Sequence, residues 1–131
     1  MAALPEKVKS LLQKPVFVHF ATVMKEGGPQ VSPVWVDVEG DTILINSAEG
    51  RVKDKNVRTD KRVALSVTDP ANPYQAVMIR GRVKEITNDG ADQHIDKMAK
   101  KYMGKDTYPF RSPTEKRVIY KIEAEKISTM G

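Results

Sequence analysis

The first half of the chain alternates short apolar segments with tight polar turns, a pattern typical of an antiparallel sheet. Three segments rich in β-branched and aromatic residues, Val16–Met24, Gln30–Val38 and Thr42–Ser47, have the composition of strands. The turns between them, Lys25–Gly28 and Glu39–Asp41, contain glycine, which accepts the backbone angles that hairpin turns require. The sequence therefore predicts a three-stranded meander.

Three further strands are predicted in the second half of the chain: Arg62–Thr68, the longer Gln75–Ile86, and Arg117–Ile127. Gly81 lies inside the long strand, where a glycine marks a bulge or a close approach of two backbones. Six antiparallel strands at short spacing favour a mainly β fold, a closed β-barrel with flanking helices. An α+β arrangement also fits this pattern.

Helices are predicted before the first strand and between later strands. Pro5–Gln13 is amphipathic and begins with a proline suited to a first helical turn, and a short basic helix follows Gly50. Asn88 or Asp89 is expected to cap a helix that runs to Tyr102. A chain of 131 residues with no repeat and no linker is expected to form one domain.

The composition excludes several kinds of chemistry. The chain has no cysteine, and its two histidines, His19 and His94, do not share a metal-ligand spacing, so no metal site is predicted. We interpret His19 as a packing or barrel-lining residue and His94 as a solvated residue on a helix. No apolar run approaches the length of a membrane span, and the lack of cysteine fits a reducing compartment. A cytoplasmic protein with no membrane partner is expected.

Positive charge is concentrated in the second part of the chain. The net charge is +5, and every arginine lies after Gly50. Such asymmetry favours a polyanionic partner, which can be nucleic acid, a membrane surface or an acidic small molecule. The aromatic residues are few and lack the stacking pattern of a nucleic-acid-binding barrel, so an acidic small molecule is the favoured partner.

The segment Asn46–Asp60 carries the strongest indication of a binding site. It continues a predicted strand through Ser47, then places Gly50, Arg51 and Lys53 at the start of a helix. Backbone N–H groups and the helix dipole favour an anion there, and Arg51 can grip a phosphate with its planar fork while Lys53 acts as a point charge. The alternative is a charged, solvated surface helix. Our hypothesis is that this segment is the phosphate clamp of a bound cofactor.

The remaining side chains offer little chemistry of their own. The sequence contains no G-x-S-x-G nucleophile motif, no G-x-G-x-x-G dinucleotide motif and no conspicuous pair of acids. This pattern suits a protein whose reactive atom belongs to a cofactor, while the protein supplies binding, orientation and exclusion of water.

Five sequence blocks lie in a fixed order along the chain: QVSPVWV (30–36), GRVKDKNVR (50–58), RVALSV (62–67), NPY (72–74) and RGRV (80–83). In order and spacing they resemble the pyridoxamine 5′-phosphate oxidase-like split-barrel proteins, and within them the subgroup of F420-dependent reductases. The resemblance extends from about Leu4 to Ile127.

The resemblance implies a six-stranded antiparallel split β-barrel of the FMN-binding type that forms a homodimer, with two flavin-type sites in clefts between the subunits. It also implies that Ser47, Arg51 and Lys53 hold the cofactor phosphate. The strand Ser32–Trp35 and the region of Ala21 and Thr22 would line the ring. Residues near Tyr74 and Met78, with Tyr102 or Tyr108 of the second subunit, would close the pocket. The predicted cofactor-binding residues are Ala21, Thr22, Ser32, Pro33, Val34, Trp35, Ser47, Arg51, Val52, Lys53, Asn56, Tyr74 and Met78.

The residue types agree with these assignments. Pro33 removes one backbone donor and stiffens the strand, which suits a flat ring lying along it. Trp35 can either stack on a ligand or pack in the core, and Tyr74 has the same ambiguity. Ser47 stands where threonine is frequent in the family, and it retains the hydroxyl.

These inferences lead to a homodimeric oxidoreductase that uses the deazaflavin F420 for hydride transfer to a small organic substrate. The surplus of lysine and arginine suits the phosphodiester and glutamates of the F420 tail. Three alternatives remain: the same scaffold with FMN, a non-enzymatic protein that binds a flavin, haem or tetrapyrrole, and a small nucleic-acid-binding barrel. No catalytic residue is assigned from the sequence.

Overall fold

The strands and helices follow the predicted order along the chain, with one predicted strand divided in two. The computed structural model describes residues 2–131. The elements are α1 (Glu6–Gln13), β1 (Val18–Val23), β2 (Pro29–Val34), β3 (Asp37–Glu39), β4 (Thr42–Ala48), α2 (Val52–Thr59), β5 (Arg62–Asp69), β6 (Asn72–Thr87), α3 (Ala91–Met103) and β7 (Arg117–Met130).

The strands form one antiparallel sheet in the order β2-β1-β5-β6-β7-β4-β3. Strands β2 and β3 lie at opposite ends of this sheet, although only Trp35 and Val36 separate them in the chain. The sheet must therefore roll up to bring its two ends together. Within residues 2–131 no ladder of backbone hydrogen bonds joins these two edges, so the closed barrel expected from the strand spacing does not form. The fold is the split barrel that the resemblance implies, with seven strands instead of six.

The predicted strand Gln30–Val38 is divided because two side chains of α3 take the backbone groups of Val36. The Val36 N–H donates to the Tyr102 hydroxyl at 2.9 Å, and Lys101 Nζ donates to the Val36 carbonyl at 2.7 Å. Backbone groups bonded to α3 are not available to a neighbouring strand. The chain therefore leaves one edge of the sheet before this residue and joins the other edge after it.

Proline restricts β2 to the position that it occupies at the edge of the sheet. Pro29 and Pro33 both lie in β2, and neither has an N–H group to donate to a second neighbour. The strand pairs only with β1. Its outward-facing residues are exposed and its inward-facing residues are half-buried, which leaves this edge open at the split of the barrel.

The interior of the barrel is filled by the inward-facing residues of the strands. Phe20 of β1 and Tyr120 of β7 are fully buried and stack with ring centroids 6.3 Å apart. Val8, Leu11 and Leu12 of α1 close one end, in agreement with its amphipathic pattern. Full burial of one such side chain contributes about 1.5–3 kcal/mol. The core is therefore mainly aliphatic with one central aromatic pair.

Helix α3 ends where the sequence predicts but begins differently. Gly104 has a φ of 69° and its N–H bonds to the Lys100 carbonyl, a left-handed cap that terminates the helix. The prediction that Asn88 or Asp89 caps the other end was wrong, because Gly90 occupies the cap position and Asn88 donates to the backbone of β7. No helix among residues 2–131 has the length and apolar composition that a membrane span requires.

Gly81 lies where the backbones of β6 and β7 approach each other closely. The register between these strands shifts at Arg80 and Gly81, which confirms the predicted irregularity. A Cβ atom added at Gly81 would overlap the backbone oxygen of Glu123. Only glycine fits here because both partners are backbone and cannot rotate away.

We expect Gly81→Ala to lower the free energy of unfolding by about 1–3 kcal/mol, because the added methyl group forces two paired strands apart. Urea unfolding followed by circular dichroism measures this difference. Gly28→Ala is the matched control, since its Cβ would meet only the flexible end of Glu26, at 3.3 Å. Equal stabilities of the two variants would contradict the packing argument.

Candidate functional site

A pocket of about 320 Å³ opens at the split of the barrel, between β2, β4, the start of α2 and the loop that follows α3. The structure brings six predicted cofactor-binding residues together in this pocket: Pro33, Val34, Trp35, Ser47, Arg51 and Lys53. The other lining residues were not among the contacts predicted for this chain, although Tyr108 was expected to approach the pocket from the second subunit: Phe17, Asn46, Ile95, Met98, Tyr108, Phe110 and Arg117. The pocket has a cationic side and an aromatic side.

Three cations form the cationic side. Arg51 and Lys53 come from the start of α2, and Arg117 is the first residue of β7. Arg51 and Arg117 share the carboxylate of Glu115, at 3.5 Å from Arg51, whereas Lys53 makes no hydrogen bond or ion pair with any part of the described chain. Burial, together with the charges of Arg51 and Arg117, lowers the pKa of Lys53. The positive charge on this side of the pocket therefore exceeds the negative charge of the acid that pairs with it, Glu115.

A buried carboxylate fixes the start of α2, which carries two of these cations. Asp54, in the first turn of α2, accepts hydrogen bonds from the Gly50 N–H at 3.0 Å, from Arg58 Nε at 3.0 Å and from the Tyr120 hydroxyl at 2.8 Å. An acid in the third helical position that bonds back to the residues before the helix resembles a capping box. Asp54 therefore ties the helix start to the barrel core. Sequence reasoning missed its role, although an acid at this spacing is the signal that indicates it.

Two buried hydroxyl groups lack a hydrogen-bond partner in the described chain, and one of them lines the pocket. They belong to Ser47 and Ser32. The neighbouring Tyr120 hydroxyl donates its single proton to Asp54, and no hydrogen bond joins it to Ser47. Burial raises the pKa of Tyr120, and the nearness of Ser47 opposes that shift. A buried polar group without a partner costs free energy. Ser47 lines the pocket, so a ligand oxygen is a fitting partner for its Oγ atom.

Aromatic residues form the opposite side. Trp35 stacks on Tyr102 with centroids 4.7 Å apart and planes 10° apart, and the Tyr108 ring meets Trp35 edge-on at 6.0 Å. Phe110 continues this cluster beyond Tyr108, and Phe17 packs against Tyr102. One face of Trp35 is thus used in packing. Phe17 and Phe110 remain 57% and 66% exposed and form an apolar rim.

The other predicted site residues do not line this pocket, and their cofactor contacts stay a prediction. The amide of Asn56 donates to the Thr22 hydroxyl at 3.0 Å, so both polar groups are occupied inside the barrel wall. Val52 is exposed at the start of α2. Ala21, Met78 and Tyr74 lie on β1 and β6; the first two line depressions on the outer face of the sheet, and Tyr74 is 80% exposed.

Neither histidine has the environment that the sequence suggested. His94 is not solvated: its Nε2 atom lies 2.9 Å from Asp37 Oδ2 and its Nδ1 atom lies 3.1 Å from Asn46 Nδ2. His19 does not line the barrel, because it points outward from β1. Within residues 2–131 no three histidine, aspartate or glutamate side chains cluster closely enough to hold a metal ion.

Sequence reasoning missed the pocket residues whose neighbours come from distant segments. Arg117 and Asn46 are 71 positions apart in the chain, and the Arg117 Nε atom donates to the Asn46 amide oxygen at 2.9 Å. Tyr108 was expected from the second subunit, whereas here it lines the pocket of its own chain from the loop after α3. The only signal for Arg117 is a cation directly before an apolar strand, which is common and specifies no role.

A rolled antiparallel sheet with a split at β2 and β3 defines the class as the split-barrel proteins. A sequence profile of one family, described as pyridoxamine 5′-phosphate oxidase, matches residues 4–131. The chain belongs to this family. A comparison with curated protein sequences found no match.

Solved structures agree with this assignment. An F420 reductase is 32% identical with a TM-score of 0.83, over 95% of this chain and 98% of the other. The conserved hypothetical protein Rv2991 from Mycobacterium tuberculosis is 18% identical with a TM-score of 0.75, over 99% and 86%. HupZ from Group A Streptococcus is 20% identical with a TM-score of 0.71, over 96% and 93%. The last two likenesses concern the fold alone.

The buried carboxylate of Asp37 makes the stability depend on pH. Burial by itself would raise its pKa, but the hydrogen bonds from His94 and the Val38 N–H and the charge of Lys97 lower the pKa to about 2. A carboxyl group whose pKa is lowered by folding stabilises the fold above the unfolded pKa. That stabilisation is lost as the pH falls towards the folded value.

We expect Asp37 to contribute about 2 kcal/mol of stability above about pH 4, and to lose this contribution as the pH falls towards about 2. Urea unfolding over this range should therefore show a steeper acid dependence for the wild type than for Asp37→Asn. Asp106→Asn serves as the control, since its carboxylate is 91% exposed. Parallel curves for the wild type and Asp37→Asn would disprove the assignment.

Proposed function

We propose that the protein is an oxidoreductase that uses the deazaflavin F420 for hydride transfer to a small organic substrate. The observation that carries the proposal is the two-sided pocket, in which an aromatic side faces a cationic side with an unpaired buried hydroxyl. A planar ring with an anionic tail is complementary to both sides. The similarity to an F420 reductase, at 32% identity, supports the deazaflavin.

The cationic side fits the phosphate of the tail. Arg51 and Lys53 are the charged contacts, and the Ser47 hydroxyl is a further donor. Charge-assisted hydrogen bonds of this kind are about twice as strong as neutral ones. The first turn of α2 adds unpaired backbone N–H groups and the positive end of its dipole. An anion here would relieve the repulsion between neighbouring cations.

The strand Pro33–Trp35 and the aromatic side fit the ring system. The bound deazaflavin would supply the hydride from its central ring, and the protein would contribute position and exclusion of water. The exposed rings of Phe17 and Phe110 leave an apolar entrance suited to an organic substrate. The lack of cysteine fits a reducing compartment, and we propose the cytoplasm as the place of action.

FMN is the second candidate cofactor, because it also combines a planar ring with a phosphate and because the family profile is described as pyridoxamine 5′-phosphate oxidase. Titration of the purified protein with F420 and with FMN ranks the two, and the reduced cofactor that binds better is then tested with electron-poor acceptors. Much tighter binding of FMN would overturn the choice of F420. Tight binding without turnover of any acceptor would favour a non-enzymatic binding protein.

We further propose that the protein is a homodimer joined through the outer face of β1, β5 and β6. This face carries two shallow depressions, of about 500 Å³ and about 270 Å³, and the exposed side chain of Met78, and it is bordered by the exposed Val31 of the adjoining strand β2. Glu125 lies on the same face as Arg80 and Lys126. A patch with both signs of charge can pair with its own copy about a two-fold axis. Such a dimer would cover Ala21 and Met78, two of the predicted cofactor contacts that lie outside the pocket.

Introducing a charge into this face is expected to separate the subunits. Met78→Glu should reduce dimer formation at micromolar concentration, because a carboxylate would be buried in an apolar contact. Sedimentation equilibrium measures the dimer fraction. Gln93→Glu adds the same charge on the exposed face of α3 and should leave the dimer intact. A wild-type monomer at micromolar concentration would refute the dimer.

Removing the two clamp charges is expected to weaken cofactor binding selectively. Arg51→Ala combined with Lys53→Ala should cost about 2–5 kcal/mol in the binding of F420 or FMN, because two charge-assisted contacts are lost. Riboflavin, which lacks the phosphate, should bind the variant and the wild type equally. Lys55→Ala, an exposed cation on the same helix, is the control. An unchanged dissociation constant for the phosphorylated ligands would disprove the clamp.

A further inference from the structure

We propose that Arg117 is a third anion-binding residue of this pocket and that the clamp is built for a ligand that brings two negative charges to it. The inference rests on the proposed function, which it deepens by naming a ligand contact and a charge state. It starts from the way in which Arg117 is held.

The Arg117 guanidinium is held on two sides and remains available on a third. Its side chain is only 4% exposed, with Nε donating to the Asn46 amide oxygen at 2.9 Å and Nη1 donating to Glu115. The Tyr108 ring lies 5.3 Å from its central carbon. The Nη2 atom makes no hydrogen bond within residues 2–131 and is not sealed from solvent. Since Arg117 lines the pocket, this nitrogen is free to bind a ligand there.

A chain of hydrogen bonds fixes the orientation of this guanidinium. The Asn46 Nδ2 atom donates to the Ala91 carbonyl at 2.9 Å, so its amide oxygen must face Arg117. The same Nδ2 atom lies 3.1 Å from His94 Nδ1, which must therefore be the acceptor, and the His94 proton lies on Nε2 and donates to Asp37. Arg117 thus loses little conformational freedom when it binds an anion. Such preorganisation favours affinity.

The charges around the pocket indicate how much negative charge the ligand brings. Arg51, Lys53 and Arg117 are cations, and Glu115 is the one acid that pairs with any of them in the structure described. Two positive charges therefore remain uncompensated in a partly buried site. Like charges at short range repel strongly where water is excluded. A doubly negative oxyanion balances them, whereas a single negative charge leaves one cation unpaired.

Two ligands of the proposed function carry such charge. A phosphate monoester, as in FMN, is largely a dianion at neutral pH. A phosphodiester carries one negative charge, and in the F420 tail a nearby carboxylate supplies the second. The shared chemistry is a pair of negative charges within reach of one guanidinium fork and two further cations.

The test compares Arg117→Gln with the wild type in binding to FMN, the methyl phosphodiester of FMN and riboflavin, and to F420 and its tail-free deazaflavin. We expect Arg117→Gln to lose about 10- to 100-fold affinity for FMN and F420, which is the effect of one hydrogen bond to a charged group. Affinity for riboflavin and the tail-free deazaflavin should remain unchanged. The wild type should prefer FMN over its methyl ester, and the variant should lose that preference.

Arg111→Gln is the matched control, because Arg111 pairs with Asp92 and Asp96 away from the pocket. If Arg117→Gln binds FMN and F420 as tightly as Arg111→Gln does, Arg117 is only structural and the inference is overturned, while the proposed function stands. If the wild type binds no flavin or deazaflavin, with or without phosphate, the proposed function fails.

A second measurement needs no variant and therefore holds even if Arg117→Gln does not fold. Nitrogen NMR of arginine-labelled wild-type protein, titrated with inorganic phosphate, should shift the Arg117 Nε resonance and leave that of Arg111 in place. If the Arg117 resonance shifts and the Arg111 resonance does not, the result supports the anion site independently of any flavin. No shift of Arg117 at saturating phosphate would overturn the inference.

Discussion

The contact between α3 and the backbone of Val36 is the constraint on which the rest of the structure depends. The Tyr102 hydroxyl and the Lys101 ammonium group take the N–H and C=O of Val36, and the predicted single strand divides there. The two halves can then lie at opposite edges of one sheet, which rolls the sheet into a split barrel. Since Tyr102 also stacks on Trp35, the same residue builds one side of the pocket.

The cationic side of the pocket depends on like charges that neighbouring groups hold in fixed positions. Its charges come from the start of α2 and the start of β7. Asp54 fixes the start of the helix through its bond to Gly50, and Asn46 orients Arg117. Holding like charges together costs free energy, which a folded protein tolerates where a bound anion offsets it. Preorganised donors in a partly dry site bind an anion more strongly than mobile surface lysines do.

Much of the fold and part of the site could be predicted because the signals are local. Alternation of apolar residues and glycine turns marked the strands, and the spacing of Ser47, Gly50 and Arg51 marked a strand-to-helix junction. Within a few residues, backbone geometry determines which side chains share a face. His94 shows the limit of such reasoning: it lies on a predicted helix, but its partners Asp37 and Asn46 are 57 and 48 positions away.

The sequence by itself determined the order and approximate limits of the elements and the strand-to-helix junction that carries Ser47, Arg51 and Lys53. Only the tertiary structure decided that the second strand divides, that Arg117 lines the same pocket as Arg51 and Lys53, and that His94 is half-buried in a chain of hydrogen bonds. The physical reason is that local pattern sets the direction of a side chain, whereas the group it meets depends on strand order and register. Those are decided by contacts between segments far apart in the chain.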